Sequence, residues 1–214
     1  MHRLMFVVTT AALTACSFDS PTSSSSQLTG SGVDTIPIVV GYTGTFGYES
    51  SGPQYGFVGT SEIAVGDYGS PGETDRGIVT FNISALDGDS AEAAVLRVYE
   101  CYVAGDPFSF LGTVVVDHIT PGTPPGQSQY NSSTLASDIG TIAPDATTGF
   151  RNLTVTSAVE SDVAANGTYS QFRLRFSNED GNPNGGSNYV DFETGNGIDC
   201  ASDASLAPVL IVTY

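Results

Sequence analysis

The chain has 214 residues, of which 23 are Asp or Glu and six are Lys or Arg, for a formal net charge of −17. All six bases are Arg. A field of that sign repels phosphate backbones and anionic headgroups, which argues against nucleic acid as a partner. No segment approaches the roughly 20 apolar residues that a membrane-spanning helix needs.

The amino terminus reads as an export signal. His2 and Arg3 form a short basic start, Leu4 to Leu13 is apolar, and Thr14 and Ala15 are small. Leu13-Thr14-Ala15-Cys16 resembles the bacterial lipobox, Leu-small-small-Cys. The resemblance implies cleavage before Cys16 and a diacylglycerol on its sulfur, which would tie the protein to a membrane through lipid. Several buried acyl chains at about 0.8 kcal/mol per CH2 would make the anchor effectively permanent. Residues 1–15 are then the signal, and the Ser-rich stretch 16–32 is a flexible tether spanning about 20–25 Å. Ser17, where an Asp would resemble an inner-membrane retention signal, points to the outer membrane if the cell is Gram-negative.

Residues 33–214 are long enough for one domain with a real core. Cys101 and Cys200 remain once Cys16 is spoken for, and an exported domain with two cysteines reads as carrying one disulfide. The other reading is two separate buried thiols.

Taken in chain order, period-2 alternation recurs at 62–69, 76–84, 94–103, 112–120, 152–159, 171–177, 188–194 and 208–214. These runs are rich in Val, Ile, Phe, Tyr and Thr, with Gly, Asp, Asn or Pro between them. Leu96 and Val98 oppose Arg97 and Tyr99, while Phe172, Leu174 and Phe176 oppose Arg173 and Arg175. Pro121 to Thr148 holds much of the irregular loop, and 157–165 is the one short helix expected. Eight or more such strands indicate an all-β, antiparallel β-sandwich.

"GTSEIAVGDYGSPGETDRGIVTFNISAL", "AEAAVLRVYE", "FRNLTVTSAVESDV" and the closing "APVLIVTY" resemble DNRLRE-type domains over roughly Gly59 to Tyr214. Those are jelly-roll β-sandwiches similar to carbohydrate-binding modules on bacterial exported proteins. The resemblance implies a jelly roll and a polysaccharide ligand. The chain has no Trp, and Tyr offers a stacking face.

Two constellations bear on chemistry. Asp180, Asn182 and Asn184 followed by Gly185 match the first half of a calcium loop, and Asp191 falls where the twelfth-position ligand would come. Ordinary turn chemistry explains the same residues, so a structural calcium ion is the only cofactor the spacing admits. Arg97, Tyr99, Arg173 and Arg175, with Tyr102 nearby, would form a basic, aromatic strip if their strands were neighbours. Arg forks suit carboxylated or sulfated sugars. The alternative is that these arginines serve only as partners for the carboxylates. His118, the only histidine after the signal, lies inside "VVVDHI", with Asp117 aimed at the opposite face, so the two are no ready dyad.

The expectation is a lipid-anchored envelope protein with a non-catalytic domain that binds polysaccharide or envelope glycan. A structural or protein-interaction role is the alternative, and a polysaccharide-degrading enzyme the third.

Overall fold

The computed structural model describes residues 32–49, 52–59, 62–69, 73–86, 91–122, 125–179, 186–195, 200 and 202–214. Residues 1–15, expected to be a signal, Cys16, nearly all of the Ser-rich stretch 16–32, and Asp180, Asn182 and Asn184 lie outside the described residues.

Twelve strands are found among the described residues. They are β1 (Val33–Pro37), β2 (Gly44–Glu49), β3 (Gly52–Val58), β4 (Glu62–Asp67), β5 (Thr74–Asn82) and β6 (Ala93–Ala104), then β7 (Val114–Ile119), β8 (Thr134–Ala143), β9 (Gly149–Thr154), β10 (Tyr169–Phe176), β11 (Asn188–Glu193) and β12 (Val209–Thr213). The helices are α1 (Pro107–Phe110) and α2 (Thr156–Ala164). Every paired strand is antiparallel to its neighbour, as the sandwich reading requires.

Eight strands form two layers. One runs β1-β12-β6-β9 and the other β5-β10-β7-β8. Counted in chain order, that is 1-8-3-6 over 2-7-4-5, the crossing pattern of a jelly roll. β11 pairs with the far end of β6, β4 pairs with β11, and a single Gly66–Asp75 pair links β4 to β5. The two layers therefore belong to one curled sheet. β2 lies on the free side of β5 and folds back into β3.

Alternation sets which face goes inside. On β6, Ala94, Leu96 and Val98 are fully buried; on β10, Phe172, Leu174 and Phe176 face them across the core. Each such side chain contributes about 1.5–3 kcal/mol through burial. β7 is buried on both faces: on its outward side Ile119 joins a second apolar cluster with Phe46, Ile78 and Tyr130, and Asp117 is taken up by arginines. α2 lies within one residue of its expected span at each end and touches both layers, through β6 and β10.

Three stretches differ from expectation, one of them the run at 152–159, whose strand ends at Thr154 and whose last four residues open α2. Pro121 to Thr148, read as largely irregular, contains the ten-residue strand β8. Most of β8 is exposed, its register against β7 shifts three times, and Asp138 has φ of 49°. An edge strand of this kind lacks the half-buried alternation by which strands are recognised. β1, β2 and β3 precede the first run read as a strand, and glycines interrupt the pattern in β2 and β3.

Candidate functional site

The four residues expected to share one strip do not. β6, which carries Arg97 and Tyr99, and β10, which carries Arg173 and Arg175, belong to different layers. Alternation had placed each pair correctly on its own strand, but only the strand order could make the pairs neighbours.

Arg173 and Arg175 lie under a roof. Arg173 is 6% exposed; its Nη2 and Nε donate to Asp117 Oδ2 at 2.7 and 3.1 Å, and its Nη1 donates to the carbonyls of Tyr130 and Ser132. Arg175 Nε donates to the same carboxylate at 2.9 Å, and its Nη2 also reaches Asp138. Burial works against the charge on Asp117. Hydrogen bonds from Arg175, the Asp138 amide and Arg173 nevertheless hold its carboxyl below the usual aspartate value. Beside them Arg76 makes a two-pronged bond to Glu179 at 2.6 and 2.7 Å and lies 4.0 Å over the Tyr130 ring. Gln129 and Gln171 extend the same network to Thr80. Arg76 and Arg173 bind the Tyr130 and Ser132 carbonyls to the second layer, while Arg175 is taken up by Asp117 and Asp138, the carboxylate-partner role named as the alternative.

The other half of the expected site stands open. The outward positions of β1, β12, β6 and β9 align in rows: Thr35, Ile211, Val95 and Thr154; then Pro37, Val209, Arg97 and Asn152; then Tyr99 beside Phe150. None of these is a carboxylate, on a chain with 23 of them. Arg97 holds its guanidinium 4.9 Å over the Phe150 ring, and Tyr99 meets the same ring edge-on at 5.1 Å. Phe150 is 47% exposed. Arg76, Arg151, Arg173 and Arg175 each pair with a carboxylate. Among the described residues Arg97 has none, and its buried Nε has no hydrogen-bond partner. Sequence reasoning missed Phe150, since its place beside Tyr99 comes from the β9–β6 pairing. Tyr102 is displaced by the register shift between β6 and β11 and joins Tyr189 and Tyr68 in a separate ring cluster.

The remaining expected residues fall as follows. Cys101 and Cys200 are joined in a disulfide, with Cα atoms 5.4 Å apart. Asp191 lies within β11, paired by its backbone to both β4 and β6, with its side chain buried. Among the described residues no cluster of three His, Cys, Asp or Glu side chains could hold a metal ion. Asp117 and His118 do face opposite ways: the imidazole points inward, and its Nε2 meets Asp162 Oδ2 of α2 at 2.9 Å. That partner was not anticipated, because nothing in the spacing links α2 to β7.

One buried acid is unusual. Glu100, fully buried on β6, receives Arg151 Nε at 2.8 Å on Oε2, while Oε1 has no partner among the described residues. Burial pushes its carboxyl up to about 7, against the pull of Arg151.

No family model matches the chain, no curated protein matches its sequence, and the likeness to DNRLRE-type domains therefore rests on strand and turn patterning alone.

Proposed function

We propose that this is a lipid-anchored envelope protein whose β-sandwich binds an anionic polysaccharide, one bearing carboxylate or sulfate, on the open face of β1, β12, β6 and β9. One observation carries the reading: among the described residues Arg97 lies beside Tyr99 and Phe150 with no carboxylate partner, and the aligned outward positions around it include no carboxylate. In so acidic a chain, a cation without a partner is an attachment point for an anion from outside. The two rings supply flat apolar area next to it. The Ser-rich tether would hold this face clear of the membrane. The Asx-rich segment Asp180, Asn182, Asn184 adds a structural calcium ion to the proposal, supported by spacing alone.

The test is a glycan array probed with the full-length chain, followed by titration of its best acidic hits. A charge-assisted hydrogen bond contributes about 1.5–3 kcal/mol, so Arg97→Ala should weaken binding at least about tenfold. Tyr99→Ala should weaken it too, and added salt should loosen it. Silence on every carboxylated and sulfated glycan would defeat the proposal, as would unchanged binding by Arg97→Ala. The anchor is tested by mass spectrometry of the mature amino terminus: Cys16 should carry lipid, and an intact Met1 would refute it.

A further inference from the structure

Where α2, β8 and β9 meet, the sandwich leaves a cavity of about 360 Å³, within the range of small-molecule sites at about 300–1,000 Å³. His118 lines it, and Leu135, Ile139 and Val155 supply an apolar wall. Ser157 and Ser161, both on the exposed side of α2, supply hydroxyls. Apart from the imidazole, no titratable side chain lines the cavity, so it offers nothing to balance a charged guest.

The imidazole is held by one nitrogen only. His118 and Asp162 are 2% and 6% exposed, and the Phe172 ring lies 5.7 Å from the imidazole. Nε2 is taken up by Asp162 Oδ2 at 2.9 Å, and among the described residues no hydrogen bond uses Nδ1. A purely structural histidine would use both nitrogens or bury the second against carbon. Here the ring borders a space wide enough for a ligand.

We infer that this cavity is a second ligand site, separate from the Arg97 face, for a neutral acylamido group. The amide meets His118 Nδ1 through its N–H or its carbonyl, whichever the ring requires, the methyl lies on Leu135, Ile139 and Val155, and neighbouring polar atoms meet Ser157 and Ser161. N-acetylated amino sugars and N-acetylated amino acids share this chemistry. The site does not depend on the anionic-glycan proposal: it touches that face only at Thr154 and uses neither Arg97 nor the Tyr99 and Phe150 rings.

The experiment is NMR on the full-length chain with ¹⁵N-labelled histidine, titrated separately with N-acetylglucosamine and with N-acetylalanine amide. Glucose and alanine amide, which lack the acetyl group, serve as controls. At least one acylamido probe should shift the His118 Nδ1 resonance saturably below about 10 mM, and at least tenfold more tightly than its control. Which probe succeeds tells sugar from peptide. Ser161→Phe, entering the cavity from an exposed helix position, should abolish the shift, whereas Arg97→Ala should leave it intact. A His118 resonance unmoved by both probes overturns the site, as does a shift that survives Ser161→Phe. Because the resonance reports the wild-type protein directly, the test stands even if the variant folds poorly.

Discussion

Replacing Glu100 by Gln should change how stability depends on pH, and the sign follows from the site. Glu100 is fully buried on β6, with one oxygen on Arg151 and the other without a donor among the described residues. Its carboxyl rises from 4.5 to about 7 in the folded chain, because burial outweighs the arginine. Below pH 4.5 the group is protonated in both states and contributes nothing. Between 4.5 and about 7 the unfolded chain releases the proton while the folded chain keeps it, so stability falls as pH rises. Above about 7 the full penalty is present. At 1.36 kcal/mol per pKa unit it amounts to about 3 kcal/mol. Urea unfolding of wild type and Glu100→Gln should be measured at intervals from pH 4 to pH 8. All other titrating groups are common to both proteins, so the difference isolates this carboxyl. Gln keeps an oxygen for Arg151, and its stability relative to wild type should grow by about 3 kcal/mol across the range. A difference that stays flat with pH would refute the claim that burial dominates at this residue.

Asp117→Ala would leave Arg173 buried with only carbonyls to receive it. The cost should be about 3–5 kcal/mol in urea unfolding, and a loss below about 1 kcal/mol would contradict the network. The folded carboxyl of Asp117 titrates below its unfolded value, so its contribution is present above about pH 3.9 and disappears as pH falls through the lowered folded value. The Cys101–Cys200 bridge spans 99 residues, and by loop entropy its reduction should remove up to about 4–5 kcal/mol. Unfolding curves that coincide with and without reductant would show that the unfolded chain gains no freedom from losing the bond.

The candidate face was half legible in the sequence. Arg97 and Tyr99 share an outward phase on β6 that alternation alone reveals, and the inward burial of Leu96 and Val98 agrees with it. Arg173 and Arg175 follow the same rule on β10 with the same success, yet Arg173 is covered by Tyr130 and Ser132 and Arg175 is tied to Asp117 and Asp138. Period 2 tells which side of a strand a residue occupies. It does not tell what lies over that side. β8 escaped notice for a related reason: an exposed, bulged edge strand has no buried face to leave an alternating trace.

Local composition settled the fold class, since alternating apolar and polar residues between turn formers can bury a face only as sheet. It also settled the helix at α2 to within a residue, and two cysteines in an otherwise cysteine-free domain were enough to suggest the bridge. Tertiary structure alone decided strand order, and with it every neighbour relation that matters for binding. Phe150 came beside Arg97, His118 met Asp162 across the core, and among the described residues Arg97 was left without an acid. The reason is physical. Alternation is a property of one strand and its own two faces, whereas a site is made by strands far apart in the chain whose pairing depends on how the whole sheet closes.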